Sequence, residues 1–371
     1  MTMMAQIELD QVHKIYHTRR GPVHAVQDVS LMVEQGEFIA LLGPSGCGKT
    51  STLRMIVGLE EISAGDIRFD GDRVNALTPQ QRNVATAFES YALYPNFTVA
   101  ENLGFPLEVR GVAAAERQRQ VQRMAEVLRV EDIMDQLPGA LSGGQQQRVG
   151  LGRALIREPA VLVLDEVLSH IDAHLKFQML FDLKRIHQEL GQTTVFVTHD
   201  QMEALALADR VAVMSEARLQ QVGTRDVLYH APATLFVADF IGEPPTNFFT
   251  VSPAVNDGQT ILCSTASNLK FHPSARRAAA LDTAAGGELI VGLRPQNVRL
   301  QADDQSMALT AEVLINEYLG EQTILTLKNG EDTLRALAPP DVRLGRGDSV
   351  TLYYAPEDVL LFDKGSEKLI A

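Results

Sequence analysis

The sequence predicts an α/β domain followed by a small all-β domain, and three observations carry that prediction. Short, wholly apolar runs recur through the first part, of the kind that fill a parallel sheet covered on both faces. One of them ends in a glycine-rich phosphate-binding pattern that opens a helix. After about Phe240, helix-like stretches become scarce and short strands with turn signals take over. At 371 residues the chain is long for one domain and suits two, expected at 1–235 and 236–371.

The elements follow in order. Phe38-Ile39-Ala40-Leu41-Leu42 is a buried-strand pattern running into a glycine-rich turn, and Lys49 to Leu59 then reads as a helix. Ala113 to Val130 is rich in alanine, glutamine and arginine, with Val121, Met124 and Leu128 at helical spacing, which predicts a helix with a solvated charged face. Ala160 to Leu164 and Thr194 to Thr198 are two more covered strands. Gly242-Glu243-Pro244-Pro245-Thr246 has the composition of a linker. Beyond it, Leu289–Leu293, Ala311–Ile315, Thr323–Leu327, Ser349–Tyr354 and Val359–Phe362 read as strands, with a hairpin signal at Asn329-Gly330. The alanine-rich piece from Ala275 to Gly287 is expected to be a surface loop, and no internal repeat is evident.

Composition excludes several classes. Hydrophobic residues at 45% and charged residues at 22% are ordinary for a folded globular protein. No apolar run approaches the ~18 residues of a membrane-spanning helix, and the start lacks the pattern of a secretory signal. The two cysteines, Cys47 and Cys263, make a disulfide framework improbable and fit a reducing cytosol. A formal net charge of -14 argues against a surface that tracks nucleic-acid phosphates.

Gly43-Pro44-Ser45-Gly46-Cys47-Gly48-Lys49-Thr50 fits G-x-x-x-x-G-K-[ST] and lies between a strand and a helix, where the chemistry needs it. Such a loop curls so that its N–H groups converge on phosphate oxygens, and the following helix adds its positive end. Lys49 would neutralise phosphate charge and the Thr50 hydroxyl would help hold Mg²⁺. Leu162-Val163-Leu164-Asp165-Glu166 ends a second strand in two carboxylates, Asp165 beside the metal and Glu166 where it can polarise an attacking water.

Leu141-Ser142-Gly143-Gly144-Gln145, followed by Gln146-Gln147-Arg148, resembles the signature sequence of ABC transporter ATPases, and its spacing from the two phosphate motifs matches that family. The resemblance implies a P-loop NTPase, ABC-type nucleotide-binding domain with a helical subdomain, followed by a small all-β, OB-like barrel regulatory domain. It implies ATP and Mg²⁺ as cofactors, with two ATP molecules sandwiched in a head-to-tail dimer. Tyr16 and Ala25 then fall at the adenine, Gly43 to Ser51 at the phosphates, and Ser142, Gly143, Gly144 and Gln145 at the γ-phosphate of the opposite subunit. Thr50, Glu89 and Asp165 become the metal-binding residues, and Glu166 and His199 the catalytic pair. Ser169-His170-Ile171-Asp172 occupies the loop through which the two sites communicate, and Ser90 to Pro95 the segment that docks membrane subunits. In the tail, Ile241 to Phe249, Gly292-Leu293-Arg294-Pro295 and Val359 to Asp363 look like the regulatory domain of maltose-type importer ATPases.

The resemblance thus implies an importer ATPase at the cytoplasmic face of the inner membrane. Its partners would be two integral membrane permease subunits and, indirectly, an extracytoplasmic solute-binding protein. The solute would be a sugar, oligosaccharide, polyol or glycerol phosphate; polyamine, iron or sulfate uptake is the alternative, and a soluble non-transport ABC ATPase a further one. Some residues depart from the family. Glu89 stands where a glutamine is usual, Val167 replaces a proline, and His170-Ile171 replaces Asn-Leu. An extra carboxylate at Glu89 beside Glu166 is expected to slow turnover or alter coupling, since close carboxylates resist joint ionisation. These departures leave a homodimer and a heterodimer with a second ATPase both open.

Overall fold

The computed structural model describes residues 4–88, 93–168, 173–256, 259–281, 288–303 and 305–370. Contacts divide the chain into two compact units, Met1–Arg225 and Asp226–Ala371, so the break falls ahead of the boundary expected after residue 235.

The first unit opens on a long antiparallel pair, β1 (Ile7–Thr18) and β2 (Gly21–Val33), whose register shifts three times between Leu9 and Ile15. The fully buried β3 (Phe38–Leu42) runs into the glycine-rich turn and helix α1 (Lys49–Val57). β4 (Ala64–Phe69) and the short β5 (Asp72–Arg73) extend the first pair into a sheet of order β2-β1-β4-β5. β6 (Val84–Phe88) precedes three helices, α2 (Val99–Val109), α3 (Ala114–Leu128) and α4 (Gly143–Leu155), which pack on one another. α2 starts on a capping box, the Thr98 side chain accepting from the Glu101 N–H while the Glu101 side chain accepts from the Thr98 N–H. α3 buries Val121, Met124, Ala125 and Leu128 and leaves Arg119, Arg123 and Glu126 exposed, as the helical spacing requires. The chain then alternates through β7 (Val161–Asp165), α5 (Ala173–Leu190), β8 (Thr194–Thr198) and α6 (Gln201–Leu207) to the hairpin β9 (Arg210–Ser215) and β10 (Arg218–Gly223).

The strands of the second sheet run β10-β9-β3-β8-β7-β6. Apart from β10, every neighbour is parallel, so five strands end at one edge of the sheet. Register aligns Leu42 with Thr198, Val197 with Asp165, and Asp165 with Phe88. The loops after β3, β8, β7 and β6 therefore leave from adjacent points, at the edge where open α/β sheets bind ligands. Side chains of β3, β7 and β8 share one core with α1 and the β1–β2 pair.

The second unit begins with the short helices α7 (Arg225–His230) and α8 (Leu235–Phe240). β11 (Asn247–Asn256), β12 (Gln259–Ser264) and β13 (Lys270–Phe271) follow, and then the segment expected to be a loop opens as helix α9 (Ala275–Leu281). α9 buries none of its residues, so it rests on alanine's helix propensity and carries no apolar stripe to announce it. β14 (Leu289–Leu293), β15 (Met307–Tyr318), β16 (Thr323–Asn329), β17 (Asp332–Ala338), β18 (Ser349–Tyr354) and β19 (Leu360–Asp363) complete two antiparallel sheets, β13-β12-β11-β14-β19 and β17-β16-β15-β18. The β16–β17 hairpin turns at Asn329-Gly330, where the sequence signal stood. The two sheets enclose one apolar core, and the Asn247 amide ties them by accepting from the Arg335 N–H at 2.7 Å and donating to its carbonyl at 2.9 Å.

Residues 242–246 are fastened into this unit. The guanidinium of Arg294, 3% exposed, donates to the carbonyls of Tyr229, Ala238 and Ile241 and to the Thr246 hydroxyl, and it stacks 3.9 Å from the Tyr229 ring centroid. Burial pushes its pKa down to about 10.

Candidate functional site

The phosphate loop is shaped by contacts only glycine allows. A Cβ on Gly43 would fall 2.2 Å from the Met214 carbonyl oxygen, and one on Gly48, at φ 105°, would fall 2.3 Å from the Ala25 carbonyl oxygen. The loop is therefore clamped between the neighbouring β9 and β2. Lys49, 5% exposed, donates from Nζ to the carbonyls of Gly43 (2.8 Å) and Pro44 (3.0 Å) inside the curl. Cys47 is buried with its Sγ 3.9 Å from the same nitrogen and packs as a small core residue. Thr50 is exposed at the start of α1.

Tyr16, half-buried at the far end of β1, sits beside this helix start, its hydroxyl 3.4 Å from the Ser51 Oγ. The Lys14 ammonium lies 4.8 Å from the Tyr16 ring centroid and pairs with Glu60 at 2.6 Å. The structure thus brings Tyr16, Ala25 and the loop from Gly43 to Ser51 together on one side of the sheet edge.

On the next strands along, β7 ends in Asp165 and β8 leads directly to His199. Burial, and then the charge of Glu166, raise the Asp165 carboxyl above the usual aspartate value, with Arg54 and Lys49 opposing. Glu166 adopts φ 48°, a left-handed conformation that costs a non-glycine residue about 1–3 kcal/mol. Its N–H donates to the Val197 carbonyl (3.1 Å), fixing the turn that presents the carboxylate. His199 Nδ1 stands 3.5 Å from Glu166 Oε1, both side chains partly exposed. Val167, in the position where a proline was expected, is buried, and its carbonyl accepts from Gln147 Nε2 at 3.5 Å.

Ser142 caps α4 in a second capping box, its N–H donating to Gln145 Oε1 (2.8 Å) and its Oγ accepting from the Gln145 N–H (3.4 Å). Among the described residues nothing lies within 4 Å of where a Cβ on Gly143 or Gly144 would stand, and no hydrogen bond takes up their N–H groups, as at an open first turn of a helix. Among the described residues no hydrogen bond joins this segment to Gly43–Ser51. Glu89 and the stretch Ser169 to Asp172 lie outside the described residues, as do Ser90, Tyr91 and Ala92.

A cleft of about 560 Å³ lies between β6, α2 and α4. The rings of Tyr94, Phe97 and Phe105 pack 5.0–5.5 Å apart beside it, and buried Asn102 holds residues 94–98 through four hydrogen bonds. Arg110, Arg153 and Arg157 line the cleft, and among the described residues no carboxylate lines it. Burial lowers the pKa of Arg153 and Arg157; the Arg153 guanidinium lies 4.8 Å from the Tyr94 ring centroid, and among the described residues its buried Nη1 has no hydrogen-bond partner. Sequence reading had not singled out these arginines, because cations on separate elements leave no local pattern.

The order in which the chain delivers these parts to one sheet edge is that of an ATP-binding cassette. Comparison with known proteins agrees. The profile of the ABC transporter family matches residues 26–169 and that of the TOBE domain residues 291–362. The chain is 40% identical to the sulfoquinovosyl glycerol transport ATP-binding protein SmoE of Agrobacterium fabrum, over 99% of this chain and 100% of the relative. It is 45% identical to the sn-glycerol-3-phosphate import ATP-binding protein UgpC 1 of Rhizobium johnstonii, over 87% and 84%. It is 40% identical to the trehalose/maltose import ATP-binding protein MalK of Thermococcus litoralis, over 99% and 100%. Among solved structures, the dimeric post-hydrolysis state of the ATP-binding cassette MJ0796 bound to ADP and Pi superposes with a TM-score of 0.51 at 28% identity, covering 59% of this chain and 98% of that one. The chain belongs to the ATP-binding proteins of ABC transporters, and it is an ATPase.

Proposed function

We propose that this chain drives uptake of a carbohydrate-like solute as the ATPase subunit of an importer, docked on two permease subunits at the cytoplasmic face of the membrane. The observation that carries the reading is the cargo in the names of its relatives. Sulfoquinovosyl glycerol, glycerol phosphate and trehalose/maltose are all polyhydroxylated, and the relatives match at 40–45% identity over most of the chain.

In this reading ATP lies on the Gly43–Ser51 loop with its adenine towards Tyr16 and Ala25, and the γ-phosphate is closed over by Ser142-Gly143-Gly144-Gln145 of the second ATPase. The open N–H groups at the start of α4 suit that anion. Lys49 supplies positive charge to the phosphates. Glu166 accepts a proton from the attacking water while His199, 3.5 Å away, engages the γ-phosphate. The hydroxyl of Thr50 and the carboxylate of Asp165 are hard oxygen donors that suit Mg²⁺, and a dication would offset the cost of ionising Asp165 in its half-buried place. Bound there, Mg²⁺ would neutralise charge on the β- and γ-phosphates.

The arginine-lined cleft between β6, α2 and α4 is the docking point for a cytoplasmic helix of the permease. Its aromatic wall provides the apolar core of an interface, and the Arg153 Nη1, which has no hydrogen-bond partner among the described residues, suits an acidic side chain from that helix. Affinity purification of the tagged chain from solubilised membranes of its host tests the proposal. Two polytopic membrane proteins are expected to co-purify, with or without a second ATPase. Recovery of soluble nucleic-acid or ribosomal partners alone would overturn it.

A further inference from the structure

We propose that Lys176 is a positioning residue of the hydrolytic site: its single ammonium locks both flanks of His199 and thereby sets where the imidazole stands against Glu166. The inference rests on the reading of His199 and Glu166 as the catalytic pair.

His199 lies between Thr198, the last residue of β8, and Asp200, the N-cap of α6. Neither neighbour is left to the backbone alone. Asp200 Oδ1 accepts from the N–H groups of Met202 (2.7 Å) and Glu203 (3.3 Å), which fixes the helix start. The Thr198 hydroxyl does double duty, accepting from the Asp200 N–H at 3.0 Å and donating to Glu203 Oε2 at 2.5 Å. Glu203, one turn into α6, is 2% exposed. A buried carboxylate there needs a cation, and Lys176 supplies it from α5, at 2.6 Å from Glu203 Oε1 and 2.5 Å from Asp200 Oδ2.

One ammonium therefore closes a ring that runs Lys176–Asp200–Thr198–Glu203–Lys176, and His199 projects from that ring with a side chain itself 56% exposed. With more than half of its side chain exposed, the imidazole takes its orientation chiefly from the residues on either side. Desolvation works against the Lys176 charge, yet hydrogen bonds and attraction from the two carboxylates leave its pKa above the ordinary lysine value. The same ammonium, against the desolvation of its carboxyl, helps hold Asp200 below the ordinary aspartate value.

Steady-state ATP hydrolysis by the full-length chain tests this with four variants. Lys176→Met is expected to lower kcat at least about ten-fold, as a displaced reacting group does. KM for ATP should stay within about two-fold, since among the described residues no hydrogen bond or ion pair joins the ring to the phosphate loop. Lys176→Arg, which keeps the cation, should recover most of the lost rate. The double variant Lys176→Met/Glu203→Gln removes the unpaired buried carboxylate, so it should regain wild-type thermal stability without regaining kcat. If Lys176→Met hydrolysed ATP at the wild-type rate, or if the double variant recovered both stability and kcat, Lys176 would be no more than a neutralising charge and the proposal would fall. His199→Ala separates the two levels. Undiminished hydrolysis in that variant refutes the role of His199 itself, whereas a loss there with none in Lys176→Met refutes only the positioning role.

Discussion

Gly48→Ala is the sharpest test of how the phosphate loop is built. The added Cβ would stand 2.3 Å from the Ala25 carbonyl oxygen, which belongs to the backbone of β2 and cannot swing aside. The residue also sits at φ 105°, where an L-side chain costs about 1–2 kcal/mol. Relief of the overlap adds about 1–3 kcal/mol, so the first unit should lose roughly 2–5 kcal/mol. At about 2–4 °C per kcal/mol for a unit of this size, the melting temperature falls by roughly 4–20 °C. ATP affinity should fall at least about ten-fold, because the displaced loop no longer aims its N–H groups at one point. Two other glycines calibrate the effect. Gly46, at φ 80° with nothing within 4 Å of a Cβ, isolates the backbone term, and its alanine variant should cost only about 1 kcal/mol. Gly143 has open space and no positive φ, so Gly143→Ala should leave the melting temperature unchanged. Thermal unfolding and binding of a fluorescent ATP analogue read both quantities. If Gly48→Ala matched Gly46→Ala in each, the clamp between loop and β2 would be refuted.

Three further outcomes follow from charges at and near the site. Burial and the neighbouring Glu166 charge raise the Asp165 pKa in the folded chain, so above that raised value its ionisation costs stability; Asp165→Asn should therefore abolish hydrolysis yet raise the melting temperature of the nucleotide-free chain. That gain should shrink as the pH falls through the raised folded value and vanish below the ordinary aspartate range, and a variant that melts lower at pH 7 would contradict the burial argument. Arg153→Glu should cut recovery of the permease subunits in co-purification at least about ten-fold, since it sets an acid against the acid expected of the partner helix; undiminished recovery would remove the cleft as the docking point. Glu89→Gln restores the glutamine usual in the family and should speed ATP turnover or change its coupling to transport, and unchanged rates in both assays would refute the effect expected of Glu89.

What could be read in the sequence was what local physics writes locally. β3, β7 and β8 were legible because a strand covered on both faces must be apolar throughout, and α3 because one buried stripe leaves a helical period. β1 and β2 gave no comparable signal: their register shifts, and the positive φ at Gln11 and Asp28, break the alternation that marks a half-buried strand. α9 was hidden for the opposite reason, having no buried residue to set a period. In the site, Lys49, Asp165 and Glu166 stood out because each belongs to a motif at a strand end, whereas His199 was singled out only through the family resemblance. Lys176, Glu203 and Arg153 did not stand out, because their partners come from other elements and only folding introduces them.

Arg294 has a consequence for how such a domain is inherited. A gene fragment beginning at the first strand of the second unit would code for a complete pair of sheets, yet its product would bury a guanidinium whose acceptors at Tyr229, Ala238 and Ile241 had been left behind. The β-rich half is therefore not a separable cassette of strands. It can be transplanted or lost only together with the two short helices ahead of it, and a recombination point that works for one chain of this kind should lie near residue 225, where few contacts are severed, rather than at the proline pair.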